Sequence, residues 1–201
     1  QDTISLGYLG GLPTGIDFSP KAIETAIHLA KQTGSPAQFI CSDVYDLPNQ
    51  LTGQFDIVFT SFGVIGWLPD LDRWASVIAH FLKPGGKFVF AEFHPVVWMF
   101  DDKFTKVQYS YFNEEDIIEL SSGTYADRSA PIQNESISWN HSLGEVLSSL
   151  INHGLDITSF EEFDYSPYNC FANMIQVDER RYRIQPMGNK LPLVYALTAT
   201  K

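Results

Sequence analysis

The spacing of apolar residues changes along this chain, and each change marks an element. Residues 14–17, Thr-Gly-Ile-Asp, are a short strand-like run that stops at an acid. Behind them Ala22, Ile23, Ala26, Ile27 and Ala30 recur at i, i+3, i+4, i+7 and i+8, the stripe of a helix packed on a core. Ser19 is placed as its N-cap, Pro20 at its first position and Gly34 as its C-cap. Residues 37–43 form a second short run ending in an acid. Residues 55–61, Phe-Asp-Ile-Val-Phe-Thr-Ser, form a third, rich in β-branched and aromatic side chains. A helical period returns over residues 71–83 through Trp74, Val77, Ile78, Phe81 and Leu82, and Pro84-Gly85-Gly86 stops it before a fourth strand at 87–93. The chain opens on a helical pattern that ends at Gly10-Gly11. Strands alternating with helices imply a parallel α/β sheet with right-handed crossovers.

The pattern loosens after residue 95. Residues 96–140 hold many aromatics and no helical period, with alternation at 106–112 and 135–141 that predicts two strands. This is read as an inserted, partly β segment within a single domain spanning residues 1–201. Order returns with a helix over 142–153, where Ser142 and Glu145 have capping-box spacing and Gly154 closes the end. A strand at 155–163 and a terminal strand at 193–199, entered through a turn at 187–192, complete the pattern.

Charge and cysteine usage narrow the partners. A net charge of -11 argues against nucleic acid, whose phosphates need basic surface. Cys41 and Cys170 are far apart and form no metal-ligand spacing, so no metal is expected and a reducing, cytoplasmic setting is. No run is long and apolar enough to suggest a membrane span.

Asp17 then has two readings. It is either a cap for the helix that follows or a carboxylate at the carboxyl edge of a sheet, where an acid can accept both hydroxyls of a ribose. Four segments bear on the choice: Thr14-Gly-Ile-Asp-Phe-Ser-Pro20, Cys41-Ser-Asp-Val-Tyr-Asp-Leu-Pro48, Phe55-Asp-Ile-Val-Phe-Thr-Ser61 and Phe81-Leu-Lys-Pro-Gly-Gly-Lys-Phe-Val-Phe90. In this order, with short spacers, they resemble the class I S-adenosylmethionine-dependent methyltransferases, closely to about residue 95 and more loosely from Ser142 onward. The resemblance implies a doubly wound, mostly parallel Rossmann-like sheet whose terminal strand runs antiparallel. It implies S-adenosylmethionine as cofactor and a small molecule as methyl acceptor. It also implies a strand and a glycine-rich loop supplied by residues upstream of Gln1. Asp17 would bind the ribose hydroxyls and Phe18 lie against the adenine. Asp43 would accept from the adenine amino group and the Val44 amide donate to a ring nitrogen. Ser61 and Phe62 would face the methionine part. The plainer roles are that Phe18 belongs to the core and Ser61 caps a loop.

Methyl transfer from a sulfonium is an in-line displacement that depends mainly on alignment. A base is needed only where the acceptor must lose a proton. His94, in Glu92-Phe-His-Pro95 after the fourth strand, is placed as that base, or alternatively as a hydrogen-bond partner of a neighbouring loop. His141 is a second candidate. Trp67, Trp98, Tyr109, Tyr111 and Tyr125 are assigned to an acceptor pocket, with the insert folding over the carboxyl edge near His94. The competing use of the insert is to pair two subunits as a homodimer. A methyltransferase-like domain that binds without catalysing, and an NAD-dependent oxidoreductase, are the rival functions.

Overall fold

The computed structural model describes residues 1–122 and 131–201, so Tyr125 lies outside the described residues. The first half runs α1 (Asp2–Tyr8), β1 (Thr14–Asp17), α2 (Pro20–Thr33), β2 (Gln38–Cys41) and the single turn α3 (Leu47–Gln50). The Ser19 hydroxyl accepts from the Ala22 amide, and Gly34 leaves α2 at φ 66°, so both ends of that helix form as the sequence predicts. β1 and β2 pair in parallel with Asp17 beside Cys41. Successive strand residues face opposite sides, and helices cover both. Gly15 sits so close to Thr3 of α1 that a Cβ would meet the threonine hydroxyl at 2.7 Å. On the other side Ile16 and Ile40 pack against Leu47, Val77 and Phe81.

The second ladder contains β3 (Phe55–Thr60), β4 (Leu82–Phe93), β7 (Asp156–Phe163) and β10 (Val194–Thr200) in the order β3-β4-β10-β7. β3 and β4 are parallel around the connecting helix α4 (Leu71–Phe81), and β10 runs antiparallel to both neighbours, as expected of the terminal strand. Phe88, Phe90, Tyr195 and Leu197 meet Trp74, Val146 and Leu150 of α4 and α5 (Leu143–Asn152) in the main core. The opposite face is open over β3, where Ile57 is 59% and Phe59 40% exposed, and is covered at the carboxyl end of β4 by a second cluster that includes Phe93, Val97, Ile184 and Val194. β1 and β3 are not hydrogen-bonded to each other, although Ile16 and Val58 pack on the same Leu47–Val77–Phe81 cluster.

Three expectations change. The sharp stop at residues 84–86 is an excursion within β4: Phe55 pairs with Leu82 and Ile57 with Lys87, with Gly85 at φ 77° between them. The strands of the insert are β5 (Ile117–Ser122) and β6 (Gln133–Ser138): β6 meets the expected strand at 135–141 over residues 135–138, whereas residues 106–112 form no strand. Over 106–112 the alternating rings serve as anchors instead: Tyr109 Oη donates to Glu119, and the Leu143 amide donates to Tyr111 Oη. A hairpin of β8 (Met174–Asp178) and β9 (Arg181–Ile184), which the sequence pattern did not announce, follows β7.

Candidate active site

Parallel strands deliver their last residues to one edge, and the two ladders do so with different chemistry. Asp17 ends β1 and Asp43 lies two residues beyond β2. Each uses one oxygen locally: Asp17 Oδ1 accepts from the Ser19 amide at 2.8 Å and Asp43 Oδ1 from the Tyr45 amide at 2.7 Å. Both residues are exposed, and Phe18 between strand and helix is 79% exposed. The core role considered for Phe18 is therefore not what the structure shows. Val44 is half-buried and packs into both clusters that flank the edge. Tyr45 joins this edge to the next element, its hydroxyl bonding the backbone of Asp70 at 2.9 Å and 3.0 Å under the Arg73 guanidinium. Burial pushes the Tyr45 phenol upward.

At the carboxyl end of β3, Ser61 and Phe62 are half-buried, and the Phe62 ring packs on Phe93 and Tyr168 at 5.6 and 5.9 Å. The following loop is held by a residue that the sequence reading passed over. Glu92, 2% exposed, accepts from the amides of Gly63 at 2.5 Å, Val64 at 2.8 Å, Ile65 at 3.2 Å and Phe93 at 2.7 Å. Burial pushes its carboxyl above the usual range, against the pull of those four donors. Its parity along β4 was a usable signal, since Glu92 falls on the same face as Phe88 and Phe90, where a lone acid needs partners.

His94 stands where the sequence places it, but not as a waiting base. It is 3% exposed; its Nδ1 accepts from the Val96 amide at 3.2 Å and its Nε2 lies 2.8 Å from Glu162 Oε1. Nδ1 as acceptor leaves the proton on Nε2, so neither nitrogen keeps a free lone pair for a substrate proton. Burial lowers its pKa, and Glu162 partly offsets this. The loop-anchoring role is the one that the geometry supports. His141 is likewise buried, with Nε2 at 2.8 Å from the Leu68 carbonyl and Nδ1 at 2.9 Å from Glu145. Glu145 thus turns to His141, while Ser142 alone caps the α5 amides.

The insert does return to this edge. Asn140 donates to the carbonyls of Pro95 and Ser110, joining its two ends, and the Trp139 amide donates to the Gly66 carbonyl. Trp98 packs edge-on against Phe93 and Phe171 while remaining 40% exposed, and Trp67 is 57% exposed at the end of the β3 loop. Tyr109 and Tyr111 are half-buried and spend their hydroxyls on the insert and on α5. Tyr195, beside Glu92 in the ladder, stacks edge-on to His94 at 6.1 Å. Its buried hydroxyl has no hydrogen-bond partner among the described residues, and its pKa is driven well up by burial and by Glu92. An open cavity of ≈ 300 Å³ lies beside the Glu162 carboxylate, lined also by Asp164, Lys190 and Leu191.

Residues 4–86 match the family model described as "Methyltransferase domain". Over this stretch, 83 of its 201 residues, the chain is similar to methyltransferase domains. It is similar to the ubiquinone biosynthesis O-methyltransferase of Chromobacterium violaceum, 30% identical over 87 residues that make up 43% of this chain and 37% of that protein. It is also 34% identical over 102 residues to an uncharacterized methyltransferase of Synechocystis sp., covering 50% of this chain and 46% of the other. These matched stretches span less than half the length of either relative. Among solved structures, a proposed S-adenosylmethionine-dependent methyltransferase of Listeria monocytogenes superposes with a TM-score of 0.64 at 17% identity, covering 100% of this chain and 85% of that one, a likeness of fold. Within this methyltransferase frame the family match ends at Gly86, so Glu92, His94 and the insert lie beyond it.

Proposed function

We propose that the protein transfers a methyl group from S-adenosylmethionine to a small-molecule acceptor, and that Asp17 and Asp43 hold the nucleoside. The observation that carries this reading is the pair of exposed carboxylates at neighbouring carboxyl ends of β1 and β2. Each has one oxygen fixed by a backbone amide two residues on. A carboxylate pre-oriented in this way meets the hydroxyls of a ribose, or an exocyclic amine, with little ordering left to do. The donor set fits the cofactor: Asp17 accepts from the ribose, Asp43 from the adenine amine, the Val44 amide donates to the ring, and exposed Phe18 lies against the base. Ser61 and Phe62 face the methionine part. Bound there, the cofactor supplies an electrophilic methyl on sulfur; the chain's own residues orient it and exclude water. The acceptor rests between Trp67 and Trp98, the exposed rings at the ends of β3 and β4.

A homodimer through the insert is supported by the bare face of the β5–β6 hairpin, where Ile118, Leu120 and Ile137 are all exposed. A cytoplasmic setting completes the proposal. No described helix is long and apolar enough to cross a membrane.

Calorimetry on the full-length protein with S-adenosylhomocysteine and with NAD tests the assignment. Binding of the first and not the second is expected, and the reverse discards the methyltransferase reading. Sedimentation equilibrium on the same preparation reads the assembly, and a monomer mass removes the dimer.

A further inference from the structure

Glu92 is the most fully engaged buried acid among the described residues, yet no part of the chemistry above uses it. Three of its four donors are consecutive amides, Gly63, Val64 and Ile65, on the loop that leaves β3. Successive amides pointing into one concavity make an anion seat; here the anion is the protein's own, reaching across from the neighbouring strand. A buried carboxylate is costly, and a well-packed apolar residue is often no worse for stability. What an apolar residue cannot do is hold three amides that neither helix nor sheet satisfies. Gly63 is at φ 74°, a conformation that residues other than glycine rarely take, so the chain turns three residues beyond the end of β3. The amides of Trp67 and Leu68 bond back to the carbonyls of Val64 and Ile65, so the next turn starts from the positions that Glu92 fixes.

We propose that Glu92 is a positioning residue that holds the Gly63–Ile65 backbone, so that Ser61 and Phe62 form a preformed seat for the amino-acid part of the cofactor. This rests on the assignment of the β3 edge to that part. The carboxylate touches neither cofactor nor acceptor; it acts through the loop. Phe93, whose ring supports Phe62 at 5.6 Å, also donates its amide to Glu92, so one carboxylate sets both the loop and the ring beneath it.

The test separates the two ends of the cofactor. Full-length wild type and Glu92→Gln are titrated calorimetrically with S-adenosylhomocysteine and with 5′-methylthioadenosine, which keeps the nucleoside and lacks the amino-acid part. Glutamine keeps the shape but turns an NH₂ toward amides that need an acceptor. The expected result is a loss of about tenfold or more for S-adenosylhomocysteine, the factor a lost buried hydrogen bond to a charged group is worth. Affinity for methylthioadenosine should stay within about twofold. Amide exchange over residues 62–68 should speed up in the variant. Gly63→Ala, which strains the same loop with Glu92 intact, should give the same split if Glu92→Gln folds poorly. Equal loss for both ligands, or loss for neither, overturns the positioning role while leaving the methyltransferase reading in place. A wild type that binds neither ligand fails that reading and takes the positioning role with it.

Discussion

The two ladders present their carboxyl ends in opposite ways. At β1 and β2 the acids are exposed and each is held by an amide two residues away. Where β4 and β7 end and β10 begins, Glu92 and His94 are buried and their partners are distant in sequence. Glu92 reaches 27 to 29 residues back for the loop amides, and His94 reaches 68 forward to Glu162. The first arrangement can be changed without disturbing the fold, because its bonds are local and wet. The second combines recognition with stability, because removing Glu92 leaves buried backbone amides unpaired in low dielectric.

The largest expected effect that sharpens this contrast is at Asp17. Asp17→Ala should weaken S-adenosylhomocysteine by about 2–3 kcal/mol, the scale of lost charge-assisted hydrogen bonds, and lower unfolding stability by less than about 1 kcal/mol. Calorimetry and denaturant melts on one preparation measure both. Unchanged affinity would take Asp17 out of the site, and a large stability loss would erase the difference between the ladders.

A smaller effect is expected in the pH dependence of stability. Burial holds the folded pKa of His94 below its unfolded value. The unfolded chain therefore binds the extra proton first as pH falls, and the stabilising contribution is full above about pH 6.5 and declines as pH drops through the interval below it. His94→Gln should flatten the fall in stability between about pH 7.5 and 5.5, whatever it does to the absolute value. An unchanged slope in urea melts would mean that the ring is not held neutral.

The smallest effect is at Tyr195. Its hydroxyl is buried beside Glu92 and has no hydrogen-bond partner among the described residues. Tyr195→Phe should leave stability unchanged or raise it by up to about 1 kcal/mol, since an unsatisfied polar group is removed without a cavity. A clear loss in thermal melts would reveal a partner for that hydroxyl.

The same contrast decides what could be read from the sequence. The strand, cap and helix around Asp17 were legible because each signal lies within a few residues of the next, and the carboxylates follow from where the strands stop. The reversed terminal strand came from the family resemblance. Glu92 was hidden because its role depends on which loop lies over β4, and no local rule states that. His94 was correctly placed and wrongly employed: spacing puts it at the edge, but only packing shows Val96 and Glu162 closing both of its nitrogens. The insert misled for a related reason. Its alternating rings over 106–112 satisfy a strand pattern while Tyr109 and Tyr111 anchor to Glu119 and to the start of α5.

The outer strands of the four-stranded ladder carry a consequence for handling. β7 ends its ladder with Asp156, Glu161 and Glu162 exposed, the charged gatekeepers that keep a bare strand from templating another. β3 ends the other side as Phe-Asp-Ile-Val-Phe-Thr, with Asp56 its sole charge and tied to Lys83 at 2.8 Å. Concentrated protein is guarded against edge-to-edge stacking on one flank and not on the other.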